Sequence, residues 1–308
     1  MDASVRSVLV MAIIFALAQL GAIFMIASIL ESQQPAFENP NDPLIPIYYI
    51  IAMVAFTFVV LYIIKKKRDD IVRVVFLGAV GFTIFYVILS VMMYFDPGLI
   101  SLLASVAVTA IITYYLIKRP EWYIVDAAGV LVSIGVVGIF GISLTILPVL
   151  ILLIILAAYD AISVYGTKHM VALADGVTKM KLPILLVIPK KWGYSYLTQK
   201  PLMQQLEEGE EREAMFMGLG DIIIPGVLIA SAFNFLPTGT LGGIDSSLLV
   251  ALGTLVGSLA GFALLMRYVL KGNPQAGLPL LNGGAIAGYI ISYLFVYGDG
   301  SLGITLPW

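Results

Sequence analysis

The stretch "MFMGLGDIIIPG", Met215 to Gly226, sets Asp221 inside an apolar run, with Gly218 and Gly220 just before the acid and Pro225 one turn beyond it. An aspartate at the centre of a bilayer costs about 2.5 to 3.5 kcal/mol on insertion scales, so a chain that keeps one there turns it toward protein or water. Whether the run is a membrane helix is decided by its surroundings. Of 308 residues, 60% are hydrophobic and 12% charged, and the mean hydropathy of +1.02 lies outside the range of soluble domains. The apolar runs have helix length and lack the alternation of a barrel strand, which predicts an all-α polytopic membrane protein.

Runs of about 17 to 25 mostly apolar residues fall near 7 to 30, 45 to 64, 72 to 95, 99 to 117, 122 to 141, 145 to 166, 214 to 236, 247 to 270 and 277 to 297. This predicts nine transmembrane helices. The division of 122 to 166 depends on a tight turn around "FGISLT". Placed on this map, all 17 Lys and Arg fall on one side, including Lys65 to Arg68, Lys118, Arg119 and the lysines from Lys168 to Lys200. The other side receives Glu31, Glu38, Asp42, Asp96, Asp245 and Asp299. The positive-inside rule then predicts a cytoplasmic N-terminus and a C-terminus outside. The first run is too long, and lacks the small-residue cleavage pattern, for a removable signal peptide.

The organisation expected is a six-span part over 1 to 166, a cytoplasmic loop over 167 to 213, and a three-span part over 214 to 308. The loop carries an amphipathic stretch, "KHMVALADGVTKM", then "LPILLVIP", which has the content of a short strand bounded by prolines, and the acidic run "EEGEEREAM". It reads either as a solvated connector along the membrane surface or as a segment that admits substrate. An unwound substrate segment is expected to add as a strand beside "LPILLVIP" or beside the irregular backbone near Pro279.

Three carboxylates fall within the spans: Asp126, Asp160 and Asp221. Asp160 precedes Lys168 by eight residues and Asp221 follows Glu213 by eight. At a helical rise of about 1.5 Å per residue both lie roughly 12 Å inside the cytoplasmic boundary. Two acids facing each other at matched depth would oppose ionising together and share one proton. The ionised member then takes a proton from water as it attacks a peptide carbonyl, and the protonated member donates to the carbonyl oxygen. No metal, cofactor or nucleophilic side chain is needed. The chain has no cysteine and a single His169, which excludes thiolate chemistry and disfavours zinc hydrolysis. A net charge of −2 gives no reason to expect a nucleic-acid partner.

Gly218 and Gly220 suit either close helix packing or a local opening that lets water reach the acid. Asp126, seven residues after Arg119, reads as a structural or water-facing acid near the interface, or as part of substrate or ion handling. "GNPQAGLPLLNGG", Gly272 to Gly284, predicts an irregular helix start at Pro279, either lining a cavity or simply carrying an early proline. On these physical grounds alone, a proton- or cation-coupled transporter or channel uses intramembrane acids as readily as a protease does.

"YD" at Tyr159 and Asp160, "GLGD" at Gly218, Leu219, Gly220 and Asp221, and "PLL" at Pro279, Leu280 and Leu281 occur in this order on the sixth, seventh and ninth runs. Together they resemble the presenilin and signal peptide peptidase family of intramembrane aspartyl proteases. The resemblance implies that Asp160 and Asp221 are the catalytic pair, with no metal, and that single-pass transmembrane proteins are the substrates. It implies that Tyr159 neighbours the site, that Gly218, Leu219 and Gly220 shape the seventh span, and that Pro279, Leu280 and Leu281 lie beside the centre and help receive substrate. Leu280 stands where the family usually has alanine. The orientation derived above is similar to the presenilin branch, and the compact chain looks like a microbial homologue, expected in a cell membrane. Homo-oligomerisation stays open.

Overall fold

The computed structural model describes residues 3–29, 36–37, 39–66, 68–167, 183–191, 193–198, 213–271 and 275–304. The α-helices are α1 (Ala3–Ile29), α2 (Ile45–Lys65), α3 (Asp69–Phe95), α4 (Leu99–Lys118), α5 (Trp122–Ser143), α6 (Ile146–Ile162), α7 (Leu219–Phe235), α8 (Ser246–Val269) and α9 (Gly277–Tyr297). Seven of these nine described helices are long and apolar enough to cross a membrane, and α2 and α7 add shorter apolar helices, Ile45–Val60 and Leu219–Phe235. The chain is thus an all-α polytopic protein, with two small two-stranded sheets among the described residues. β1 (Leu185–Pro189) pairs with β2 (Ala214–Gly218), and β3 (Thr240–Leu241) with β4 (Ile244–Asp245), both antiparallel.

The turn at "FGISLT" forms as expected, with only Leu144 and Thr145 between α5 and α6. The seventh run departs from expectation. Its first five residues, Ala214–Gly218, are a strand, and α7 begins only at Leu219. "AMFMG" is apolar enough for a helix, but pairing with β1 takes up the inward-facing amides and carbonyls of the segment instead. Leu219 N–H, one of the amides a helix start leaves free, donates to Ile184 O at 3.0 Å. The helical rise therefore does not apply between Glu213 and Asp221, and Asp221 sits in the first turn of α7. At the other end of the loop, α6 continues into a π-helical turn, Ser163–Thr167. The amphipathic stretch from Lys168 to Met180, with His169, and the acidic residues from Glu207 to Arg212 lie outside the described residues.

The chain divides into two compact units. The first comprises Met1–Ile14, Ile51–Gly135 and Lys168–Leu219. Its core gathers Val80, Ile84, Leu116, Val125 and Ala128 from α3, α4 and α5 around Val187, Tyr196 and Ala214 of the hairpin region. Glu121 fastens the chain after β1, its carboxylate accepting from Ser195 Oγ at 2.8 Å and Tyr196 N–H at 3.1 Å.

The second unit comprises Phe15–Ile50, Val136–Thr167 and Gly220–Trp308. Within it α7 is apolar on every side and buried from Val227 to Ala232, as a helix of that kind must be. Gly141 of α5 lies against Ala230, and Ser231 Oγ donates to Leu144 O at 2.8 Å. α8 and α9 meet through glycines. A Cβ on Gly257 would lie 2.6 Å from Gly288 Cα, and one on Gly288 2.8 Å from Gly257 Cα, so the two backbones touch. Asn282 of α9 donates from Nδ2 to Leu153 O of α6 at 2.9 Å.

Candidate active site

The three intramembrane acids have different surroundings. Asp126, on α5 in the first unit, is buried and its Oδ1 accepts Val187 N–H at 2.7 Å. The reason lies in the hairpin register. Ile184 and Lys190 of the β1 segment bond across to Leu219 and Glu213, so alternate residues, Val187 among them, aim their amides away from β2. Along that outer edge Pro189 has no N–H to offer, and its carbonyl accepts Ser7 Oγ at 3.2 Å. The edge of "LPILLVIP" expected to receive a substrate strand is thus engaged by Asp126 and Ser7. Burial, and next the Asp126 carboxylate, push the Tyr196 phenol up to about 12.

Asp160 and Asp221 belong to the second unit. Asp160, near the end of α6, is buried, and its Oδ2 accepts Leu278 N–H at 3.0 Å. Leu278 is the second residue of α9, so the bond uses one of the amides that a helix start leaves without an internal partner, where the helix dipole also favours a carboxylate. The residue before it, Gly277, lies against the other acid. A Cβ there would fall 3.1 Å from Asp221 Oδ1 and 3.3 Å from Oδ2. Both carboxylates therefore meet one dipeptide, Gly277–Leu278. Asp221 is half-buried and occupies the first turn of α7, again at the end of a helix that favours negative charge. Tyr165, in the π-helical turn after Asp160, accepts Ala276 N–H on its hydroxyl at 3.4 Å and so ties the chain before α9 to the end of α6.

The remaining sequence-predicted residues are distributed more widely. Tyr159 is 46% exposed. Gly218 closes β2 and Leu219 is buried, both in the first unit. Gly220 is exposed, with nothing within 4 Å of where a Cβ would stand. Pro279 and Leu280 line a groove of about 710 Å³ between α8 and α9 together with Gly257, Gly261, Gly283 and Gly284, and Leu281 is buried. At Leu280, where the family usually has alanine, it is the backbone carbonyl that lies against Gly261. Sequence reasoning missed Gly277, Leu278 and Tyr165. Gly277 stands inside the stretch quoted for its prolines and glycines, but nothing local marks it out from Gly283 or Gly284. Among the described residues, no three His, Cys, Asp or Glu side chains group as metal ligands.

A family model described as signal-peptide peptidase, presenilin aspartyl protease matches residues 11–297. Two solved structures resemble the whole chain, each described as a presenilin family intramembrane aspartate protease. One, in a C222 space group, is 32% identical, aligns over 94% of this chain and 99% of its own, and superposes with a TM-score of 0.69. The other, in a P2 space group, is 32% identical over 92% of this chain and 96% of its own, with a TM-score of 0.65. None of the curated proteins matches the chain.

Proposed function

The chain belongs to the signal-peptide peptidase and presenilin family of intramembrane aspartyl proteases, and from that premise we propose that Asp160 and Asp221 are its catalytic pair. The protein is an aspartic endopeptidase of transmembrane substrates, and the transporter reading has no support from the comparisons. The observation that carries the assignment of the two acids is their common contact with Gly277–Leu278. The missing side chain at Gly277 is what lets the Asp221 carboxylate come this close to the dipeptide that holds Asp160.

In the working state the pair holds one proton. The ionised carboxylate takes a proton from water as the water oxygen bonds to the scissile carbon, and the protonated carboxyl gives its proton to the carbonyl oxygen, forming a gem-diol. Collapse of that intermediate returns a proton to the leaving nitrogen and breaks the C–N bond. The Leu278 amide fixes the direction of Asp160 while this happens. The open space at Gly220 favours a route for water over helix packing at that position.

The reading extends to topology and substrate docking. Nine spans, a cytoplasmic N-terminus, an external C-terminus and residence in a microbial cell membrane are part of this reading, supported by the charge distribution. With the outer edge of β1 engaged, the outward amides and carbonyls of β2, at Ala214, Phe216 and Gly218, are the edge for an unwound substrate segment. From Gly218 the chain reaches Asp221 in three residues. Purified protein is to be incubated with a single-pass substrate in detergent or lipid, comparing wild type with Asp160→Asn and Asp221→Asn. Cleavage by wild type and by neither variant is expected; full activity in either variant would falsify the assignment.

A further inference from the structure

Pro225 stands inside α7 and has no N–H to return toward the carbonyl of Asp221, four residues back. At the next residue a donor arrives from another helix. Gln19 Nε2 of α1 donates to Ile222 O at 2.8 Å. Gln19 is 1% exposed, and its Oε1 is buried without a hydrogen-bond partner among the described residues. The amide reaches the α7 backbone at Gly226, where a Cβ would stand 2.8 Å from both Gln19 Cδ and Nε2, and still closer to Oε1. Gly226 is thus the notch that admits the side chain. All of these residues lie in the second unit.

Burying an amide with half its hydrogen-bonding capacity unused is unfavourable, and a leucine of similar size avoids the penalty. What the glutamine adds is a donor to the helical ladder beside a proline, the kind of insertion that sets a bend. The carbonyl it holds belongs to the residue directly after Asp221. We propose that Gln19 is a positioning residue for the reaction. Its amide fixes the pitch of the α7 turn that carries Asp221, and with it the approach of that carboxylate to Gly277. Gln19 acts through the Ile222 backbone and touches no reacting atom. The inference rests on the assignment of Asp221 to the catalytic pair.

The test uses the full-length enzyme in detergent, with kcat and KM measured separately on a single-pass substrate and thermal unfolding followed in parallel. Gln19→Leu keeps the bulk and removes the amide. Its kcat is expected to fall about three- to tenfold with KM nearly constant and no loss of unfolding temperature. Gly226→Ala, which puts a methyl group where the amide sits, is expected to lower kcat as well. The double variant Gln19→Ala with Gly226→Ala restores room but not the donor, and is expected to be no more active than Gln19→Ala. A wild-type kcat in Gln19→Leu, a change confined to KM or to unfolding temperature, or full recovery in the double variant overturns the proposal. Should the leucine variant fail to purify folded, Gln19→Met carries the same comparison. Activity retained by Asp221→Asn removes the premise and overturns both readings, whereas an inactive Asp221→Asn beside a fully active Gln19→Leu overturns only this one.

Discussion

Asp126 on α5 and Asp160 on α6 are both buried, and each accepts a backbone N–H from a segment far away in the chain, Val187 at 2.7 Å and Leu278 at 3.0 Å. What stands beyond the amide differs. At Asp126 it is the outer edge of a hairpin, and the second carboxylate oxygen is buried with no partner among the described residues. At Asp160 it is the start of a helix whose first residue, Gly277, lies against a second acid. Burial and a backbone donor are thus shared by an acid that fastens and an acid proposed to work. The second carboxylate, across a residue without a side chain, is what separates them.

The sharpest break in this comparison is to neutralise each acid in turn. Asp160→Asn and Asp221→Asn are expected to lower kcat/KM by at least about 10³-fold, whereas Asp126→Asn stays within about tenfold of wild type. Equal losses at all three positions in a substrate-cleavage assay would erase the distinction. Gly277 is the next lever. Gly277→Val places a branched side chain where even a Cβ would stand only 3.1 Å from Asp221 Oδ1, so kcat is expected to fall by about 10²-fold in protein that still purifies folded. Gly277→Ala asks the acid to give way by less and should lose correspondingly less.

On the fastening side the readout is stability. Asp126→Ala leaves Val187 N–H without its acceptor and is expected to destabilise by about 1 to 3 kcal/mol in thermal unfolding, with faster amide exchange in the hairpin. The smallest effect is expected at a helix cap. Asp245 accepts the amides of Ser247 and Leu248 at the start of α8, at 2.8 and 3.3 Å, and Asp245→Ala should cost about 1 kcal/mol. The Ser247 hydroxyl, before the two amides, holds this carboxyl below its ordinary value of 3.8. The folded value is depressed, so the contribution is fully present above the unfolded value and is lost as pH falls through the folded one. The difference between wild type and Asp245→Ala in unfolding temperature should therefore close in acid below that range.

The helices were legible because a lipid-length apolar run has few other solutions, and the family was legible in the order of "YD", "GLGD" and "PLL". β2 was not. Met215, Phe216 and Met217 suit a helix as well as a strand, and only the long-range partner Leu185–Pro189 decides between them. The strand also removes the helical rise between Glu213 and Asp221, so the depth expected for Asp221 does not hold. Gly277 and Gln19 escaped for a related reason, since each acts through a contact between helices that periodicity along one helix does not encode. A glutamine in an apolar run and a glycine two residues before the proline of "GLPLL" were the marks they left in the sequence.

The glycine contact of α8 with α9 also constrains how the protein can move. Helices separated by a layer of side chains slide past each other by small rotamer changes, but Gly257 and Gly288 leave no such layer to absorb shear. The two helices therefore travel as one plank. Any outward swing of α9 that makes way for an incoming substrate takes α8 with it, and spin labels on the two helices should keep a constant separation while their distance to α6 changes.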